Sequence, residues 1–162
     1  MESCLRHQLD LQRWEDALGT LKRLVEIVES DSPLASEILF AGLTVFRSHL
    51  EDSRDAAALS ATRELVDSLR PLLRSNHSDR VLHELVNTLV TISDIQREFG
   101  DFQTALDTSR EALTVARDVR SRNSEYIYPC IKALACHANC LVDGDAYDDA
   151  TALLEEAISI TS

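Results

Sequence analysis

The chain is 162 residues long, carries 16 Lys and Arg against 28 Asp and Glu, and has a net charge of -12 with a pI near 4.7. Hydrophobic residues make up 44%, enough for a packed core and too many for a disordered tail, and the length suits one domain. The low count of 4 Gly and 3 Pro argues against a turn-rich β sandwich or barrel, and the acidic balance argues against nucleic acid or an anionic membrane surface as the main partner.

No apolar run is long enough to span a bilayer, and Met1-Glu2-Ser3-Cys4 opens with an acid instead of the apolar stretch of a secretory signal. A cytoplasmic protein is therefore expected. The cysteines are Cys4, Cys130, Cys136 and Cys140. Cys136 and Cys140 share a helix face, but with Cys130 and His137 they match no zinc spacing, so they read as small apolar packing residues. Asn76-His77-Ser78 fits a glycosylation sequon, a chance match in a cytosolic chain.

In chain order, apolar residues recur at helical spacing nearly everywhere. Leu18, Leu21, Leu24, Val25 and Val28 make one face; Leu82, Leu85, Val86, Leu89, Ile92 and Ile95 a second; Ala105, Leu106, Ala112, Leu113 and Val115 a third. Polar breaks separate them at Ser30-Asp31-Ser32-Pro33, at 74–79 and at 120–124. The pattern is a string of helices with short loops and no convincing strand.

The chain also repeats itself. Trp14-Glu15-Asp16-Ala17-Leu18, Asp55-Ala56-Ala57-Ala58-Leu59, Phe102-Gln103-Thr104-Ala105-Leu106 and Tyr147-Asp148-Asp149-Ala150-Thr151 align, and their alanines are 41, 47 and 45 residues apart. Seven residues after each alanine comes a pair ending in an aliphatic, such as Ala112-Leu113 or Ala157-Ile158. Such a period is two antiparallel helices and a turn. The aromatic of each turn is expected to wedge against the first helix of its pair, and the alanine to let the helix axes approach. Gly100 supplies a left-handed turn residue, and Asp101 and Asp145 are expected N-caps.

Gly100-Asp101-Phe102-Gln103-Thr104-Ala105-Leu106 and Asp145-Ala146-Tyr147-Asp148-Asp149-Ala150 resemble the central turn signature of the tetratricopeptide repeat family, and Asn139-Cys140-Leu141 resembles the end of its first helix. The steps exceed that family's 34 residues. In this the chain is similar to the long repeats of kinesin light chains and to arrays behind nucleotide-binding domains in fungal and bacterial immune-receptor-like proteins; Tyr126-Ile127-Tyr128-Pro129 looks like the helix entry of the latter. The match is strongest over 79–162. The resemblance implies an all-α, right-handed solenoid of four hairpins and eight helices, with units at 1–30, 33–73, 79–120 and 125–162.

It also implies a non-catalytic protein–protein interaction module that takes a peptide or helix in its concave groove, as part of a scaffold or a sensor protein. Candidate groove residues follow at i, i+3, i+7 on the first helices: Arg6; Phe40, Leu43 and Arg47; Asn87, Val90, Asp94 and Arg97; Lys132, Ala135 and Asn139. Asparagine amides would hold a peptide backbone and the cations would pair with acidic side chains. The other reading of each is an ordinary solvated helix position. Some family members grip acidic chaperone tails with a ring of Lys, Asn and Arg; the matching places here are Glu2, Arg6, Thr44, Val90 and Asp94, so that clamp is absent.

No nucleophile motif or phosphate loop occurs, and Cys136 and His137 point apart on a helix, so neither enzyme chemistry nor a cofactor is expected. Asp143-Gly144-Asp145 is a poor calcium loop, because Leu154 stands where the closing glutamate belongs. His137 reads as a core histidine. Leu153, Leu154, Ile158 and Ile160 need cover on both sides of the last helix. Each would forgo about 1.5–3 kcal/mol if left wet. This suggests a fragment of a longer array or self-association through that helix, and an assembly-forming array without a peptide ligand is the alternative function.

Overall fold

A computed structural model describes the backbone of residues 2–27, 32–75 and 78–162, with side chains from residue 13 onward apart from 25 and 75. The regular structure of these residues is all helical. The helices are α1 (Glu2–Ile27), α2 (Pro33–Ser53), α3 (Ala56–Ser75), α4 (Asp79–Glu98), α5 (Phe102–Arg122), α6 (Ile127–Asp143) and α7 (Tyr147–Thr161). The described residues thus form seven helices where eight were expected. The difference lies at Trp14, the expected turn of a first hairpin, which sits inside the continuous α1. No Gly or Pro interrupts 2–18, so nothing stops the helix there. Among the described residues no helix is long and apolar enough to cross a membrane.

The chain divides into two compact units, Met1–Ser78 and Asp79–Ser162. In the first, Ser32 Oγ accepts a hydrogen bond from Ala35 N at 3.2 Å and Pro33 takes the first helical position, so α2 starts on a capped, pre-set turn. Ala35, Leu39, Leu43, Phe46 and Leu50 form its buried stripe and meet Ala58, Leu65 and Leu69 of α3. Leu43 is completely buried, which removes it from any groove surface. Helix α1 lies against both; Leu21 comes close to Gly42, where an added Cβ would stand 3.4 Å from its Cδ1. Trp14 stacks on His49 with ring centroids 3.9 Å apart and meets Phe46 edge-on at 5.0 Å. Asp55, at the expected aromatic place, is the cap of α3, accepting from Ala58 N at 2.7 Å.

In the second unit each helix packs on the next, and α4 also packs on α6. Helix α4 is its centre: 13 of its 20 residues are buried. Val90 is one of them, at 4% exposure, so it is a core residue and not a groove contact. Pro129 lies in the first turn of α6, where its missing N–H would have no helical partner.

The α4–α5 and α6–α7 turns share one geometry. Gly100 N donates to Arg97 O at 2.9 Å and Asp101 N to Gln96 O at 2.9 Å; Asp145 N donates to Val142 O at 3.0 Å and Ala146 N to Leu141 O at 2.9 Å. Both are Schellman turns, with the left-handed position held by Gly100 (φ 79°) and by Asp145 (φ 60°). The N-cap of α7 is therefore Ala146 and not Asp145, and Asp101 holds the N-cap position of α5 without a side-chain cap bond. Ala58, Ala105 and Ala150 are buried as expected, and Ala17 is half-buried. The turn aromatics behave otherwise: Phe102 is 50% and Tyr147 58% exposed, so neither is a wedge. Each is the first residue of its helix, one turn outside the packed seam.

Candidate functional site

Burial of most of α4 leaves Arg80 and Glu98 exposed at its ends and His83, Asn87, Asp94 and Arg97 half-buried between them, with buried Val90 and Thr91 interrupting the row. On α6 the matching stripe is Tyr128, Lys132, Ala135, Asn139 and Val142. These spacings are helical, and the two helices are neighbours, so the stripes join into one face. Lys132 Nζ donates to Asn87 Oδ1 at 3.3 Å. At the other end Arg97 Nε donates to Asp143 Oδ2 at 2.5 Å and Nη2 to Oδ1 at 3.3 Å, with Asp94 3.7 Å from Nη1. Asp143 holds the Arg97 guanidinium above its ordinary range, and burial opposes this.

The structure thus brings six of the expected residues together: Asn87, Asp94, Arg97, Lys132, Ala135 and Asn139. Lys132 is held by Asn87 Oδ1 and Arg97 by Asp143, which leaves the Asn139 amide, with the Nδ2 donors of Asn87, as the face's freest polar groups. Asn139 is exposed and makes no hydrogen bond to a described residue. Sequence reasoning missed Tyr128, 68% exposed, and Val142, which add apolar surface at the two ends of the α6 stripe. In the first unit Phe40 is half-buried on α2, and Arg47 pairs with Glu51 at 2.9 Å. The side chain of Arg6 lies outside the described residues.

Comparison with protein-family models, with curated proteins and with solved structures finds no match.

Beneath the face lies a buried polar cluster. Ser93 Oγ donates to Ala105 O at 2.9 Å and sits 3.4 Å from Cys140 Sγ. The Cys136 S–H faces two acceptors, Asp94 Oδ1 at 3.8 Å and the Cys140 sulfur one turn on. Donation to Cys140 is the larger effect. It pulls the Cys140 thiol down to about 6 against the cost of burial, with a smaller pull from the Arg97 charge. The same bond and burial push Cys136 upward. Cys130, with no such donors, is raised by burial. Cys130, Cys136 and Cys140 are thus buried, as packing residues are, and the side chain of Cys4 lies outside the described residues. His137, 8% exposed, has its Nδ1 2.8 Å from Ser109 Oγ, and burial, then Arg110 and Arg117, hold it below its ordinary value. Among the described residues no group of three His, Cys, Asp or Glu side chains converges as a metal-ligand set.

Proposed function

We propose that the chain is a non-catalytic protein–protein interaction module of tetratricopeptide-like stacked hairpins, and that the α4–α6 face takes an extended peptide or a helix. The observation that carries this reading is the joined stripe itself. Asn87 and Asn139 offer paired donors and acceptors to a peptide backbone, small Ala135 lets that backbone approach, and Tyr128 and Val142 offer apolar contacts. The alternation of antiparallel helices and the buried turn alanines support the repeat reading. The test is selection of a short random-peptide library on the intact chain. Enrichment of a peptide motif is expected; recovery of none would contradict the reading.

A second reading, an assembly-forming array, is favoured by one observation: Leu154 and Ile158 of α7 are exposed. The same helix carries Asp148, Asp149, Glu155 and Glu156 and no basic residue, so two copies laid face to face would repel. Light scattering over a range of concentrations separates the readings, since a peptide-binding monomer keeps its mass and an assembly grows.

A further inference from the structure

The α4–α5 and α6–α7 turns lie side by side at one end of the second unit, because Arg97 near the end of α4 bonds Asp143 at the end of α6. Three aromatics stand at these turns. Phe99 follows α4, Phe102 opens α5 and Tyr147 opens α7. Each is at least half exposed, so none is part of the core. Exposed apolar side chains gathered inside a polar rim mark an interaction surface, and aromatics are the usual anchors of one.

The rim here has one sign. Glu98, Asp101, Asp145, Asp148 and Asp149 are exposed around the aromatics. No Lys or Arg occurs at 98–109 or at 133–162, and Arg97 at the edge is already paired with Asp143. The side chains of Asp101, Asp148 and Asp149 form no ion pair with a described residue. Acids in the first turn of a helix suit its dipole, but this end gathers two helix N-termini and two C-termini, whose partial charges offset one another. The field there is that of the carboxylates. It favours a cationic partner over a second copy of a chain of net charge -12.

We propose that this end of the second unit docks a basic segment of another protein, an extended stretch in which Lys or Arg is interspersed with aliphatic side chains. The aliphatic groups pack on Phe99, Phe102 and Tyr147, and the cations pair with Asp101, Asp148 and Asp149. Packed neighbours such as α4 and α6 have axes about 8–10 Å apart, which an extended chain covers in about three residues. The recognised pattern is therefore aliphatic side chains three apart with a cation between them. This surface is separate from the α4–α6 face and needs neither Asn87 nor Asn139.

The test is amide-resolved NMR titration of the full chain with three blocked nonapeptides, RLGRLGRLG, RGGRGGRGG and ELGELGELG. The first should shift the amides of 98–102 and 144–149 and bind at least about tenfold more tightly than the second; the third should not bind. Phe102→Ser/Tyr147→Ser and Asp101→Asn/Asp148→Asn/Asp149→Asn should each melt near the parent temperature and lose about tenfold in affinity, whereas Asn87→Ala/Asn139→Ala keeps it. Equal affinity for the first two peptides, which would be attraction by charge alone, overturns the proposal. So does an absence of shifts at the two turns, or binding that survives in both turn variants. A mass that grows with concentration in light scattering, and only while Phe102 and Tyr147 are intact, makes a second copy the occupant and overturns it as well.

Discussion

Arg97 and Asp143 lie 46 residues apart in sequence and meet through two hydrogen bonds across the α4–α6 seam. Their side chains are about three-quarters buried, at 26% and 24% exposure, so water screens the pair only in part. Arg97 was expected to greet a ligand; its position makes it a clamp between α4 and α6, the two helices of the proposed face. Arg97→Ala and Asp143→Ala should each cost about 1 kcal/mol, and the double variant less than the sum. Denaturant melts of the four proteins check this, and strict additivity would show that the pair is not coupled.

Gln96 is buried with both amide atoms unpartnered. Replacing it with Met keeps the volume and removes the desolvated dipole. Gln96→Met should therefore raise stability by about 1–3 kcal/mol, read as a shift of the urea midpoint at unchanged slope. A lower midpoint would mean that the amide has an unseen partner.

The twin turns allow a reciprocal exchange. Gly100→Ala forces a side chain into left-handed backbone and should destabilise by about 1 kcal/mol. Asp145→Gly relieves the same strain and should stabilise by a few tenths, because it also gives up the bond from Tyr147 Oη to Asp145 Oδ1 at 2.9 Å. Melting temperatures that move in the same direction for both variants would contradict the shared geometry.

The thiols and the imidazole set a pH profile. Between pH 6 and 9 the folded chain has released the Cys140 proton and the unfolded chain has not, so stability rises with pH. Above 9 the unfolded chain ionises Cys136 and the folded chain resists, so stability falls. Below 6.5 the unfolded chain charges His137 and the folded chain does so only at lower pH, so stability falls again on acidification. Thermal melts from pH 5 to 10 should peak near 9, and Cys140→Ala should flatten the rise. A parent curve that is flat from pH 6 to 9 would contradict the assignment.

Much of this fold was legible because helical period, caps and the glycine turn all pointed one way: Gly100, Ser32-Pro33 and the alanines at 58, 105 and 150 hold the places their chemistry requires. The turn at Trp14 failed because an aromatic followed by Ala three residues later is equally at home inside a helix when no breaker precedes it. Leu43 and Val90 failed for a rotational reason. A step of three residues turns a helix by 300°, so the middle position of an i, i+3, i+7 stripe sits about 60° off the first and was carried into the core. The His137–Ser109 bond was invisible because it joins two helices whose relative rotation no single-chain pattern specifies.

The central claim is that the asparagines of the α4–α6 face hold a peptide backbone. The most direct measurement is the affinity of a library-selected peptide for the parent chain and for Asn87→Ala/Asn139→Ala. The double variant should melt at the parent temperature and bind at least about tenfold more weakly, the loss of one to two backbone hydrogen bonds. Unchanged affinity in a folded double variant would contradict it.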